Sequence, residues 1–172
     1  MHFSKYIVLF FLCFMNISSL LASTDDTQKP ITIEADQAEL DEKNQIGKYL
    51  GNVVLQQGDI KIRADKLTVF SNEGQLLRLT AEGNPIEFFQ HRDNKEDIRG
   101  TSLKMEYDAE AKHFILMNNA ELWQGENRFS GEHIQFDPEK ETVIATGSKD
   151  KGGNNGQRVQ ITIQPKSQDK NQ

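Results

Sequence analysis

The sequence predicts an all-β chain of antiparallel strands folded into a sandwich or jelly roll. Three observations point there: apolar and polar residues alternate over short runs, the alternation slips by one residue at recurring places, and polar turn clusters separate the runs. Strand side chains have a period of two. A slip would therefore turn the apolar set outward unless the chain bends or bulges there and keeps both halves around one interior. The clearest case is Ile60 to Val69, where Ile60, Ile62 and Ala64 give way to Leu67 and Val69. Ile31, Ile33 and Ala35 give way to Ala38 and Leu40; Ile98 and Gly100 to Leu103, Met105 and Tyr107; Phe129 and Gly131 to Ile134 and Phe136. The small residues at the slips, Ala35, Ala64, Gly100 and Gly131, stand 29, 36 and 31 positions apart, a degenerate repeat of roughly thirty residues.

Taken in order, the chain opens on Lys5 and a mostly apolar run from Ile7 to Leu21, ending in Leu20-Leu21-Ala22 before Ser23. Residues 1–22 read as a cleaved secretory signal, because fifteen residues interrupted by Asn16, Ser18 and Ser19 fall short of the roughly twenty apolar residues of a membrane span. Cleavage removes Cys13, the only cysteine, and with it any disulfide framework, thiolate ligand or cysteine nucleophile. It also removes Lys5, leaving a net charge one unit more negative than the −6 of the whole chain. Such a balance disfavours nucleic acid, whose binding rests on neutralising phosphates with Lys and Arg.

The segment 24–29 is polar, and Pro30 sets an extended entry to the first strand. Turn clusters follow at Asp41 to Gln45, Ser71 to Gly74, Asp108 to Lys112 and Asp137 to Glu141, each joining a bent strand to a returning one. Hairpins imply antiparallel pairing. The returning strands carry their own marks, Gly51-Asn52, Gly83-Asn84-Pro85 and Asn118-Asn119, which suggest a second set of bends; Ala145-Thr146-Gly147 is a last remnant. Lys149 to Gly156 is a Gly/Asn loop, Val159, Ile161 and Ile163 form one more alternating strand, and Pro165 precedes a flexible polar tail, 166–172. The domain expected between signal and tail is 23–165.

Reactive groups are few. His91, His113 and His133 lack metal-ligand spacing, and there is no G-x-S-x-G, phosphate loop or C-x-x-C, so no catalytic residue, metal or cofactor is assigned. Glu34 and Asp36 could in principle act as an acid/base pair on a glycan; a solvated edge explains them more simply. What remains is a set of inward apolar side chains: Ile31, Ile33, Leu55, Ile60, Ile62, Leu67, Val69, Phe88, Leu103, Met105, Tyr107, Phe114, Leu116, Leu122, Phe129, Ile134 and Phe136. They form either an ordinary core or the lining of a groove that runs along the stack.

Several segments in colinear order carry a family resemblance: Pro30 to Gln37, Gly51-Asn52-Val53 to Gln57-Gly58, Ile60 to Lys66, Gly83-Asn84-Pro85 with Phe88 and Gln90, Met105-Glu106-Tyr107, and Gln168 to Asn171. With these the sequence resembles the LptA family of periplasmic lipopolysaccharide-transport proteins, the OstA-like fold. The resemblance implies an open, slightly twisted antiparallel β-jelly roll that binds lipopolysaccharide in an apolar groove and catalyses nothing. It implies a donor, a membrane-anchored LptC-like relative, and an acceptor, an LptD-like outer-membrane protein, with copies stacking head to tail between them. Ile31, Ile33, Phe88 and Tyr107 match places where the family's groove lines the acyl chains. Ile62, Leu67, Val69, Met105, Phe114 and Leu116 complete the expected lipid-binding set.

Unpaired strand edges are expected at both ends of the roll. Pro30, Ile31, Thr32 and Ile33 would receive the LptC-like donor, and Val159, Ile161 and Ile163 would meet the LptD-like acceptor. Two other readings stay open on the residues: a secreted glycan-active enzyme on a β scaffold, and a membrane-tethered LptC-like relative that keeps its apolar run.

Overall fold

The computed structural model describes residues 29–148 and 156–165, so the expected signal, most of the Gly/Asn loop and the expected tail lie outside the described residues. Ten strands make one antiparallel sheet: β1 (Ile31–Glu34), β2 (Gln37–Asp41), β3 (Ile46–Gln57), β4 (Ile60–Asn72), β5 (Gln75–Gln90), β6 (Ile98–Asp108), β7 (His113–Gln124), β8 (Asn127–Asp137), β9 (Thr142–Thr146) and β10 (Gln160–Thr162). Hairpin neighbours pair from β3 through β8. The short strands pair at the two ends, β1 and β2 on successive parts of β3, β9 and β10 on successive parts of β8.

A seam of register shifts crosses this sheet. Pairing jumps between Leu50 and Val53, Arg63 and Lys66, Glu82 and Ile86, Thr101 and Lys104, and Met117 and Ala120. The parity slips read from the sequence fall on this line, and so do the Gly-Asn and Asn-Asn marks. Gly51 and Asn52 have φ of 75° and 47°, and Asn118 and Asn119 have φ of 63° and 55°. Glycine adopts that left-handed region without Cβ strain and asparagine tolerates it better than most residues. At the first bend the Asp36 N–H donates to the Gly51 carbonyl at 3.0 Å, and Asn52 Nδ2 donates to Asp36 Oδ2 at 2.8 Å. Asp36 therefore ties the seam.

The seam divides the sheet into two walls. The first holds β1, β10 and the parts of β3 to β8 that pair with them; the second holds β2, β9 and the remaining parts. Apolar side chains of both walls face each other. Phe88 on the first wall meets Phe114 on the second with ring centroids 4.7 Å apart, and a Cβ placed on Gly100 would lie 2.8 Å from Leu116 Cδ1. One expected inward residue is corrected: Leu103 is 37 % exposed, whereas Ser102 is buried and the next inward position is Met105. Ser102 fits inside because its Oγ donates to the Lys104 carbonyl at 2.8 Å, so its burial leaves no hydroxyl unpaired.

On the side opposite the seam the walls meet at a mouth, and the β5–β6 loop, 91–97, reaches across it. Lys95 Nζ pairs with Glu141 in the β8–β9 turn, and Arg92 Nη1 lies 3.7 Å from the same carboxylate. Arg92 also braces its own loop, donating through Nε and Nη2 to the Glu96 carbonyl at 2.9 and 2.7 Å. The Lys95 hydrogen bond, reinforced by the charges of Lys95 and Arg92, holds the Glu141 carboxyl below its ordinary range. At the loop's base His91 Nδ1 lies 2.8 Å from Asp97 Oδ1, and that hydrogen bond with the charges of Asp97, Asp59 and Asp93 pushes the imidazole up.

Two predictions follow from these constraints. Gly51→Ala places a Cβ 2.4 Å from Asp36 Oδ2 at a φ of 75°, so unfolding in urea should show a loss of about 1–3 kcal/mol with the m value unchanged. Gly74→Ala, at a φ of 81° but with nothing within 4 Å, should lose less. For the clasp, a raised His91 pKa means that its stabilisation is complete below about pH 6.5 and lost as pH rises through the raised value. The depressed Glu141 pKa works in the other direction, its contribution being lost only in acid. Amide protection in the loop, corrected for intrinsic exchange, should therefore fall between about pH 6 and about pH 9 and stay flat over that range in His91→Gln. Equal protection at both pH values in the unsubstituted chain would show that the pair does not fasten the loop.

Candidate functional site

The interior between the walls is built from rows of side chains that run across all the strands of each wall. On the first wall one inner row runs Ile33, Leu55, Ile62, Phe88, Gly100, Leu122, Phe129, Ile161. On the second wall Ala38, Tyr49, Leu67, Ala81, Met105, Leu116, Ile134 and Ala145 make one row, and Leu40, Gly47, Val69, Leu79, Tyr107, Phe114, Phe136 and Val143 make the next. Each row is continuous because antiparallel register places same-parity residues directly opposite one another, within side-chain contact.

All ten residues expected to line the groove lie on this inner surface. Ile62, Leu67, Phe88, Met105, Phe114 and Leu116 are buried; Ile33, Val69 and Tyr107 are half-buried; Ile31 stands at the open edge. The walls are largely in contact. Between them, Ile31, Leu55, Gln57, Ile60, Ile62, Leu76, Leu79, Tyr107 and Phe114 enclose a cavity of about 30 Å³, well below the ~300 Å³ at which small-molecule pockets begin. It borders a cavity of about 600 Å³ at the mouth, with which it shares Ile31, Gln57, Leu76 and Tyr107. Phe114 marks where open space gives way to packed core: Tyr107 stacks on it at 4.5 Å on the cavity side, and Phe88 meets it from the other wall. The mouth is thus open toward the N-terminal part of the roll and clasped farther along by Arg92, Lys95 and Glu141.

The walls are offset along the roll. Phe88 on β5 touches Phe114 on β7, Gly100 on β6 faces Leu116 on β7, and Ile31 and Ile60 on β1 and β4 share a cavity with Leu79, Tyr107 and Phe114 on β5 to β7. Each end therefore leaves part of one inner face uncovered. At the N-terminal end it is the second wall, where Leu40 is 66 % exposed and lines an open cavity of about 380 Å³ with Tyr49 and Val69. At the C-terminal end it is the first wall, where Ile161 is 54 % and Ile163 73 % exposed. Among the described residues β1 pairs only with β3 and β10 only with β8, while Pro30, Val159 and Ile163 flank those strands. The sequence reading missed Leu40 and Tyr49 as end-face residues, because their exposure depends on the offset between walls. It also missed the clasp, whose partners lie 46 and 49 positions apart.

Three comparisons bear on what this architecture is. The family model for LptA/(LptD N-terminal domain) LPS transport protein matches residues 32–142. The lipopolysaccharide export system protein LptA of Escherichia coli K12 is 34% identical over 90% of this chain and 85% of its own length. LptH of Pseudomonas aeruginosa, also named a lipopolysaccharide export system protein, is 31% identical over 87% of each. The crystal structure of Pseudomonas aeruginosa LptH, described as the LptA homologous periplasmic component of the lipopolysaccharide transport device, superposes with a TM-score of 0.72 at 28% identity, covering 81% of this chain and 99% of that one. With a single bent sheet, apolar inner rows open at both ends and a match of this extent, the chain belongs to the LptA/(LptD N-terminal domain) family of LPS transport proteins.

Proposed function

We propose that this chain binds lipopolysaccharide by its acyl chains between the two walls and carries it across the periplasm, as one segment of an apolar conduit between the inner and outer membranes. The observation that carries the reading is the continuity of the inner rows, which run from β1 to β10 on the first wall and from β2 to β9 on the second and leave Leu40 exposed at one open edge and Ile161 at the other. An acyl chain loses about 0.8 kcal/mol of favourable burial for each methylene exposed to water, so it crosses an aqueous space only by moving between near-equivalent apolar sites. Residues 1–22 act as the export signal in this reading. The lining comprises Ile31, Ile33, Ile62, Leu67, Val69, Phe88, Met105, Tyr107, Phe114 and Leu116, and the task requires no catalysis of the chain.

The ends supply the partner surfaces. The β1 edge with Pro30, Ile31, Thr32 and Ile33 receives an LptC-like inner-membrane donor, and the β10 edge with Val159, Ile161 and Ile163 meets an LptD-like outer-membrane acceptor. Copies join head to tail, since an uncovered second-wall face at one end complements an uncovered first-wall face at the other. Two kinds of contact then add: ladder hydrogen bonds between edge strands, and burial of Leu40, Tyr49 and Ile161 against the neighbour.

Photocrosslinking in cells tests the lining. A reactive group at Ile33, Phe88 or Tyr107 should give lipopolysaccharide adducts, and one at the outward positions Glu34 or Thr68 should not; equal adducts at both sets would make the interior an ordinary core. Sedimentation tests the ends. Leu40→Lys and Ile161→Lys should each weaken concentration-dependent association by about tenfold, one buried apolar anchor apiece, without lowering thermal stability. Association unchanged in both would remove these faces from the joint.

A further inference from the structure

Immediately outside the mouth, the first wall carries an outward row unlike the row beside it. Lys61, Phe89, Arg99, Trp123 and Arg128 stand side by side on successive strands from β4 to β8, so cations and aromatic rings alternate across the sheet. They face away from the core: Phe88 is buried while Phe89 is 36 % exposed, and Arg99 is exposed between buried Ile98 and Gly100. The Arg128 guanidinium lies 5.8 Å from the Trp123 ring centre and pairs with Glu121. Lys61 and Arg99 take part in no ion pair among the described residues.

One row nearer the seam on the same face the surface is ordinary, running Glu34, Val54, Arg63, Glu87, Thr101 and Glu121 from β1 to β7, with Arg63 4.0 Å from Glu87. On the first wall the cationic and aromatic character belongs to the row beside the mouth, in a chain whose net charge is −6; on the second wall Arg78 lies over the Phe70 ring at 4.4 Å but is also 3.7 Å from Glu106. Between this row and the interior runs the rim, where Ile31, Ile60 and Ile98 alternate with Gln57, Gln90 and Gln124. The Gln90 Oε1 is buried without a hydrogen-bond partner among the described residues. From inside to outside the surface is therefore apolar, then amide, then cationic and aromatic.

That order is the order of groups along a phosphorylated glycolipid. We infer that the row Lys61, Phe89, Arg99, Trp123, Arg128 receives the phosphorylated saccharide of lipopolysaccharide, folded back over the rim, while its acyl chains lie between the walls. The inference rests on the function proposed above and gives the headgroup its place. Arg99 sits midway between two rings that are two strands, about 9–10 Å, apart. The rings of Phe89 and Trp123 offer flat apolar faces to the C–H faces of sugar rings, and the cations bind phosphate by charge-assisted hydrogen bonds. Rim amides serve the hydroxyl groups between, with Gln90 Oε1 as an acceptor.

The test compares affinities of the full chain for three probes: phosphorylated rough lipopolysaccharide, the same material after phosphate removal, and cis-parinaric acid, which has no saccharide. Lys61→Glu/Arg99→Glu should weaken the phosphorylated probe by about tenfold or more and leave the other two unchanged. Lys104→Glu, a charge reversal remote from the row, should change none. Trp123→Ala should weaken both saccharide probes but not the fatty acid. The milder Lys61→Gln/Arg99→Gln pair keeps the comparison available if charge reversal impairs folding. Unchanged affinity of both double variants for phosphorylated lipopolysaccharide would overturn the row's role, as would parallel loss of parinaric acid binding. Loss of binding only to phosphatidylglycerol vesicles would overturn it too, pointing to a membrane surface instead. In those outcomes an unsubstituted chain that binds lipopolysaccharide keeps the proposed function; one that binds neither lipopolysaccharide nor parinaric acid loses both.

Discussion

The whole structure depends on its long strands changing parity along one line. A flat sheet with one apolar face would expose that face, and a second sheet to cover it would need its own strands. Here the cover is the same strands continued past the seam, where Gly51-Asn52, Ala64-Asp65, Asn84-Pro85, Ser102-Leu103 and Asn118-Asn119 each shift the register. The shift rotates the inward set by one residue, so Ile62 and Leu67 on one strand both face the interior although they are five positions apart. Were one strand to pass the seam in regular alternation, its second half would present the wrong face to both neighbours. The bends are therefore coupled through the ladder, and the Asp36–Asn52 bond fixes the first of them.

From that seam follows an interior that, among the described residues, has sides but no built-in ends. A closed barrel would hide its edges, whereas this sheet stops at β1 with β2 and at β9 with β10, and its walls are displaced so that each end shows half a sandwich. Large exposed apolar residues at such places carry information because they belong to the inner rows: Leu40 and Ile161 continue the parity of buried neighbours. Ile144, 58 % exposed, has the outward parity instead and is an ordinary surface residue of β9.

Much of this was legible in the sequence because the signal lay along the chain. Parity slips near Ala35, Ala64 and Gly131 and the Gly-Asn marks are local, and they fall on the observed seam. Leu103 was misplaced because hydropathy favours a leucine over Ser102 inside, and only the bond from Ser102 Oγ to the Lys104 carbonyl makes the serine the better buried residue. Features that exist only across strands were not legible. Lys61, Phe89, Arg99, Trp123 and Arg128 have no regular spacing, and their row emerges when the register is known. The clasp likewise joins a loop to a turn three strands away, and nothing near Arg92 in sequence announces Glu141.

The packed interior and the proposed cargo are compatible once magnitudes are compared. Apolar walls held apart by water would lose the burial of Ile62, Leu67, Met105 and Leu116, and the space between them is a cavity of about 30 Å³. What holds them closed on the mouth side, besides that burial, is the pairing of Glu141 with Lys95, both substantially exposed, and with Arg92, whose side chain is largely buried; an exposed pair such as Lys95–Glu141 contributes about 0–1 kcal/mol. An entering acyl chain replaces wall-to-wall contact with wall-to-lipid contact and adds about 0.8 kcal/mol for every methylene it removes from water. Two methylenes thus outweigh the exposed Lys95–Glu141 pair, and a full chain outweighs it several times over. Opening then needs no energy source within the protein, and closing behind a departing lipid is driven by the same apolar rows that admitted it.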